Sequence, residues 1–392
     1  MTNSRQLIDG LLRGRQGERV GHYDGPWPDT LAAWVAQGYP MRRVHKEAGE
    51  TRWDEDGRRT PVETAGEYLE PVPFAEHFNI DVVGAGGWFE WEPLRGYDEL
   101  LQETDEWVIR RNGAGATTRT MKHKVGMVEH LDFRMNSRAV WERDYRPHLL
   151  ELDPARYDAE AVAHTRRRLA ALRRAGVWSY YLHQFVWQNL SQSLGEAVLF
   201  ESLLLDPDWI RDFNRVYTDF YITHYAYLFE TAGLPDGIFF CDDLGYKNGL
   251  FASPKVLGDL IFPFYREMVD LFHSYDLPVI FHTCGGIAKA MPLIIEAGFD
   301  AINPIERKAL GNDPFAFAEQ YGDRIALTGG IDVRVYETND KEIIRREVAE
   351  FVQGMKARGA RLIAAADAGI PSTVRYDTYC YAVEVLREHW TY

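Results

Sequence analysis

Three cysteines, Cys241, Cys284 and Cys380, are all that the 392 residues contain. They are too few and too scattered for a disulfide framework, which fits a reducing cytoplasm. Long apolar runs are missing as well: the longest, such as 277–281, have the length of a strand and fall far short of a membrane span. The N-terminal Met-Thr-Asn-Ser-Arg-Gln-Leu has neither an apolar h-region nor a small-residue cleavage site, so no signal peptide is expected. Nor is there an excess of base. The 59 acids against 44 Lys and Arg give −15, which argues against a nucleic-acid or anionic-membrane partner. Low-complexity tracts and short-period repeats are absent, and the expectation is a soluble, cytoplasmic protein.

What the chain does have is apolar residues, at 46% enough for a large core, and 11 tryptophans, a supply suited to an enzyme with a deep pocket or to the core itself. From about residue 176 a unit repeats: a short apolar run, a polar or glycine-rich loop, then a longer amphipathic stretch. The runs are 177–185, 237–243, 277–282, 299–305, 324–329 and 360–366. The stretches between them, 196–231, 254–275, 287–297, 314–321 and 340–358, read as helices. Ser253-Pro254 makes an N-cap with Pro at the first helical position, and Gly298, Gly322 and Gly359 stand where C-caps belong. Strands alternating with helices pair in parallel, because each return to the sheet needs a helical crossover. Residues 19–24 and 80–85, the latter after a short helix over 73–78, supply two more strands.

Eight similar βα units favour closure into a single (β/α)8 TIM barrel over an open doubly wound sheet. The rhythm breaks at 86–175. There, 106–111 and 117–124 read as strands joined by Asn112-Gly113-Ala114-Gly115, a hairpin signal, followed by helical stretches at 137–143 and 157–175. This region reads as an insertion after the second strand, lying over the catalytic face of one domain spanning 1–392.

In a barrel enzyme the chemistry sits where strands finish, and polar residues fall there one strand after another. They include His22-Tyr23-Asp24, His183-Gln184, Cys241-Asp242-Asp243, His282-Thr283-Cys284-Gly285-Gly286, Asn303 with Glu306, Gly329-Gly330-Ile331-Asp332, and Asp367. His282 and Cys284, two apart on an extended segment, project to one side and can grip a zinc ion together. The same pair also suits a buried cysteine beside a hydrogen-bonded histidine. Glu306 and Asp367, at the ends of later strands, can complete a ligand set, although Glu306 can equally pair with Arg307.

Asp242 and Asp243 face opposite sides of their strand, so one carboxylate looks into the mouth, where a partly apolar setting raises its pKa for acid–base work. A helix cap or a pairing with Lys247 is the structural alternative. Asp332 reads equally as a catalytic group or as a turn residue, while His22 and His183 read as wall residues or catalysts. Trp88, opening the segment Trp88-Phe89-Glu90-Trp91, can form an aromatic wall.

Several of these residues together are familiar. The run Phe-Cys-Asp-Asp-Leu-Gly-Tyr-Lys-Asn-Gly-Leu-Phe-Ala-Ser-Pro at 240–254, Phe264-Tyr265, the His-Thr-Cys-Gly-Gly at 282–286, the Gly-Gly-Ile-Asp at 329–332 and the Ala-Gly-Ile-Pro-Ser-Thr-Val at 368–374 resemble the uroporphyrinogen decarboxylase superfamily. That group holds the decarboxylase itself and the zinc-dependent methylcobamide:thiol methyltransferases, and more distantly it is similar to cobalamin-independent methionine synthase. The resemblance covers most of 176–390 in matching order, and only loosely the N-terminal half.

For the decarboxylase, the family carries an arginine-rich segment after the first strand that holds the porphyrinogen carboxylates. Residues 22–31 here hold two acids and no arginine, and Ala368 lies where the decarboxylases have a histidine. The methyltransferase branch fits better: it implies His282 and Cys284 as zinc ligands that activate a thiol toward a methyl group. Its further cysteine falls at Asp367–Ala368, where this chain has none, so oxygen ligands must take its place and an oxygen substrate becomes conceivable.

The resulting expectation is a zinc-dependent methyltransferase moving a methyl group between a corrinoid carrier and a small acceptor or donor. His282, Cys284, Glu306 and Asp367 are the metal candidates. Asp243, His183 and Asp332 are the catalytic candidates, and His22, Trp88, Asp242 and Lys247 the substrate-contacting ones. Rival readings are a metal-free decarboxylase or lyase of a small carboxylic acid, using Asp243 and His183, and a non-catalytic corrinoid- or tetrapyrrole-binding protein. A corrinoid protein as partner and a homodimer follow from the resemblance.

Overall fold

The computed structural model describes residues 2–53, 59–122 and 128–392. Its eight parallel strands are β1 (Gly21–His22), β2 (Val82–Gly86), β3 (Trp178–Gln184), β4 (Gly237–Cys241), β5 (Val279–His282), β6 (Ala301–Asn303), β7 (Ala326–Thr328) and β8 (Leu362–Ala364). Each falls within a predicted run, shortened at its ends except at β2, which extends one residue further. Helices alternate with them, giving an α/β fold with a TIM-barrel-like βα succession. No helix among the described residues is long and apolar enough to cross a membrane.

The chain divides into two compact units. The first comprises residues 1–83, 304–308 and 312–392. In it β1 pairs in parallel with β8, His22 opposite Ala364, and β8 with β7. The helix Lys341–Ala357 starts on Asp340, whose carboxylate accepts the N–H groups of Glu342 and Ile343. Residues 41–71, which carry no clear periodic signal, form two antiparallel pairs: Met41–Lys46 with Gly66–Pro71, and Thr51–Trp53 with Arg59–Pro61.

A buried carboxylate holds the start of β2 to β1. Asp81 is fully buried and takes two hydrogen bonds of 2.7 Å from the Arg19 guanidinium and one of 2.8 Å from the His22 N–H. Its own N–H donates to the His22 carbonyl at 2.9 Å.

The second unit comprises 84–303 and 309–311. Here β3, β4, β5 and β6 pair in parallel, in that order. Two predicted helices are each divided. The expected run 196–231 corresponds to the second part of Val186–Leu205, which is interrupted at Gly195 (φ +74°), and to Pro207–Ala232; the two are separated at Asp206, whose side chain caps the second helix at the Trp209 N–H. The run 254–275 becomes Pro254–Leu260 and Phe262–Ser274; Pro263 has no N–H to continue the earlier helix. Ser253 caps as expected, accepting from the Val256 N–H. Gly298 and Gly359 take the left-handed conformation after their helices, whereas Gly322 closes its helix at φ −61°.

The predicted hairpin is present as Trp107–Asn112 and Ala116–Met121, the centre of a four-stranded antiparallel sheet with Asp98–Glu103 and Glu129–Phe133. The last two residues of the predicted strand 117–124 lie outside the described residues. At the turn, the Asn112 carboxamide oxygen accepts from the N–H groups of Ala114 and Ala116. Of the expected helices, 157–175 is realised as Ala159–Ala175, while 137–143 winds through one short α-turn into a π-helical turn at Trp141–Tyr145.

Removing one partner of a buried charge pair leaves the other uncompensated. Asp81→Ala is therefore expected to cost about 3 kcal/mol, read as a lower urea midpoint at unchanged slope.

Candidate functional site

Side chains alternate along each strand of the second unit, and ring contacts show which way each one points. On β3, the Tyr181 hydroxyl reaches the Gly233 carbonyl and His183 packs on Tyr221 and Tyr225 of the helix Pro207–Ala232, so both face the helices. Tyr180 packs instead on Phe239, with ring centroids 4.8 Å apart, and Phe239 on His282. That opposite face carries Tyr180, Leu182 and Gln184 on β3, Phe239 and Cys241 on β4, and His282 on β5. The parallel registers Gln184↔Cys241, Cys241↔His282 and His282↔Asn303 align four polar or thiol side chains in one rung.

Just past this rung, three groups of the kinds that can bind a metal converge. The donor atoms of Asp243, His282 and Cys284 all lie within 4.8 Å of one another. The Cys284 Sγ is 3.6 Å and the Asp243 Oδ1 3.8 Å from His282 Nε2. Asp243 Oδ1 also accepts the Cys284 N–H at 2.8 Å, so this carboxylate fixes the loop that carries the sulfur. On the far side of the imidazole, Nδ1 meets the Asn303 amide oxygen at 2.7 Å. An Nδ1–H donated there leaves the Nε2 lone pair directed at the other two donors, the outer-sphere arrangement that orients metal-binding histidines.

The chain turns immediately after Cys284. Gly285 has φ +84°, and a Cβ there would come within 2.3 Å of the Gly245 backbone. Only glycine permits that close approach.

Asp242, one residue before Asp243, faces the helices. Fully buried, it accepts the N–H groups of Phe185, Trp187 and Gln188 and the Tyr265 hydroxyl, the last at 2.6 Å. Burial pushes its pKa up to about 7, with those four hydrogen bonds opposing the rise. The carboxylate holds the positive end of the helix Val186–Leu205, a structural station rather than the substrate contact expected of it.

His183 has the same parity. Both ring nitrogens are buried without a hydrogen-bond partner, Phe89 stacks on the ring at 5.1 Å, and burial lowers the pKa to about 3. A neutral imidazole enclosed in this way, on the face away from the three donors, is poorly placed to carry protons for them. Trp88, expected as a wall, is 51% exposed, 6.0 Å from the His183 ring. Lys247 is exposed at the turn of the Gly245–Tyr246 and Gly249–Leu250 pair, and its carbonyl accepts the Leu310 N–H.

The other candidates belong to the first unit. His22 is buried at the end of β1, its Nε2 3.9 Å from the Asp24 carboxylate. Asp332 caps the helix Val333–Glu337 and pairs with Arg334, which against the upward push of burial brings its pKa below the ordinary carboxylate value. That cap and ion pair occupy the carboxylate expected to be catalytic. Asp367 is buried, accepts the Val333 N–H at 2.9 Å, and has its pKa raised by burial. Glu306 is half-buried, and its carbonyl accepts from the Asn312 amide. Asn303 and Gln184 were visible at strand ends, but only the register gives them a place beside the donors.

Stability should respond to acid through His183. Its folded pKa lies below that of the unfolded chain, so unfolding takes up a proton as pH falls below about 6.5 and stability drops toward pH 3. His183→Leu should remove this component, flattening the change in urea midpoint between about pH 7.5 and pH 5 relative to wild type. An unchanged slope would count against the burial reading.

Comparison with known proteins agrees with this organisation. The uroporphyrinogen decarboxylase (URO-D) family model matches residues 191–389, just over half of the chain. A solved methyltransferase from Methanosarcina mazei shares the fold at a TM-score of 0.65, with 13% identity, covering 99% of each chain. A Xaa-Pro dipeptidase with methionine bound in its active site aligns at a TM-score of only 0.25, with 16% identity over 46% of this chain and 43% of the other, too low to signify a common fold. No curated protein matches. Since that family model covers just over half of its residues, the chain belongs to the uroporphyrinogen decarboxylase (URO-D) family.

Proposed function

We propose that the protein is a zinc-dependent methyltransferase, transferring a methyl group between a corrinoid carrier and a small acceptor or donor. The observation that carries the reading is the convergence of one imidazole, one thiol and one carboxylate, with the imidazole oriented from behind by Asn303. Two ligands of one tetrahedral zinc, with Zn–S about 2.3 Å and Zn–N about 2.0–2.1 Å, stand about 3.5 Å apart. The 3.6 Å between Cys284 Sγ and His282 Nε2 fits that spacing. Family membership and the fold shared with a methyltransferase support the same reading.

His282, Cys284 and Asp243 would hold the metal. Three protein ligands leave a fourth position for substrate, the pattern of catalytic rather than structural zinc. Bound there, zinc would supply Lewis acidity, lowering the pKa of a thiol or hydroxyl. The chain's own residues do the positioning. Asn303 sets the imidazole tautomer, and Asp243 ties the Cys284 backbone in place while offering a carboxylate where further sulfur is lacking. One thiolate and one carboxylate with a neutral imidazole balance the charge of a divalent ion. The corrinoid would be presented by a partner protein, and the enzyme would work as a homodimer. The metal-free lyase reading needs His183 as a proton carrier, and the enclosure of that ring disfavours it.

Metal analysis of the purified protein tests the proposal. About one zinc per chain is expected in the wild type and none in Cys284→Ala or Asp243→Ala, while Asn303→Ala should weaken zinc binding about 10–100-fold. Retention of zinc in Glu306→Ala and Asp367→Ala would support the three-donor set, and loss in either would add that carboxylate to it. A wild type without zinc, even after supplementation, would end the metal reading.

A further inference from the structure

The helix Val186–Leu205 ends on three leucines, and the last two are left in solvent: Leu204 is 73% exposed and Leu205 81%. One turn before Leu204, Phe200 stacks on Phe251 with ring centroids 6.2 Å apart, and Phe251 in turn meets Tyr246 at 5.4 Å. The outward side of the helix therefore runs without a break into the loops after β4, β5 and β6. Those loops enclose a cavity of about 390 Å³, lined by Leu250, Phe251, Ala252, Pro254, Ala288 and Leu310, the last 67% exposed. A contiguous apolar surface of this kind marks a contact with another molecule.

Charge selects the molecule. A chain of net charge −15 repels its own copies wherever acids face one another. Residues 244–258 and 284–295, which supply most of the loop half of this surface, contain no Asp or Glu and three lysines, Lys247, Lys255 and Lys289. Lys255 is paired with Asp259 one helical turn along. Lys247 and Lys289 are exposed and have no ion-pair partner among the described residues. The helix half carries the opposite sign, through Glu196 and Glu201, which are exposed and likewise unpaired. Each half thus holds what the other lacks: projecting leucines and free carboxylates on the helix, a cavity and free ammonium groups on the loops. In a two-fold contact one surface meets itself reversed, so the helix half of one copy lies on the loop half of the other.

Resting on the homodimer proposed above, we infer that this surface is the contact between two copies of the chain, related by a two-fold axis at the Phe200–Phe251 seam. Leu204 and Leu205 of each copy then sit at the other's cavity, and Glu196 and Glu201 face the other's Lys247 and Lys289. The contact also backs the candidate site, because the backbone of Gly245 and Tyr246, on the loop half, packs against Gly285, the residue after Cys284.

Sedimentation velocity of the full chain, with zinc content measured alongside, tests this. Wild type should sediment as a dimer, at twice 45.1 kDa. Leu204→Glu, which places a charge at the partner's cavity, should sediment as a monomer. So should the double variant Glu196→Lys/Glu201→Lys, which makes both halves positive, and Lys247→Glu/Lys289→Glu, which makes both negative. Mixed in equal amounts, the two double variants should recover the dimer mass, because each half again meets its opposite. Every substituted position is exposed, so circular dichroism should match wild type throughout. A monomeric wild type, a dimer in any variant alone, or a mixture that stays monomeric would overturn the inference. Zinc content separates it from the parent proposal: a dimer with this charge dependence in a zinc-free wild type would leave the contact standing and remove the methyltransferase.

Discussion

Along an extended strand, consecutive side chains must point to opposite faces. In the second unit this alternation divides the end of every strand between structure and site. Tyr181 and His183 go to the helices, Leu182 and Gln184 to the opposite face. Asp242 goes to the helix Val186–Leu205, while Asp243 joins the donors. A shift of one residue in β4 would exchange the two carboxylates, taking Asp243 away from His282 and Cys284 and freeing a helix end at once.

The two roles are coupled through neighbouring atoms. Asp242 accepts from the first N–H groups of the helix and from Tyr265, so it anchors β4 to the helical layer. Asp243 then stands on a fixed backbone, and from it holds the Cys284 N–H. Thr283, between His282 and Cys284, turns its hydroxyl to accept the Leu244 N–H. The loops after β4 and β5 are thus laced together at the positions that do not carry donors. That leaves His282, Cys284 and Asp243 held by their neighbours, the rigidity a preorganised site needs.

Most of the fold was legible because its signals are local. Apolar runs of strand length, a Ser-Pro helix start and glycines at helix ends follow from intrinsic residue chemistry, and they located all eight parallel strands. The pairs at 41–71 were not legible, since Met41–Lys46 is largely exposed and charged and offers no alternation to read. The division of 254–275 at Pro263 was legible in principle, because proline cannot donate the helical hydrogen bond. Within the site, the spacing of His282 and Cys284 sufficed to put both on one side of the chain at the end of β5.

The sequence by itself determined which residue types stand at the strand ends and that only one of Asp242 and Asp243 can face the site. Tertiary structure decided which one, because the choice depends on where the helix Val186–Leu205 begins and on Tyr265, 23 residues further along. It likewise decided that His183 is enclosed by aromatic rings from Phe89, Tyr221 and Tyr225, and that Asn303 lies behind His282. Alternation is a property of the backbone and can be read along the chain. The identity of the buried face is set by packing between distant segments, and no local pattern encodes it.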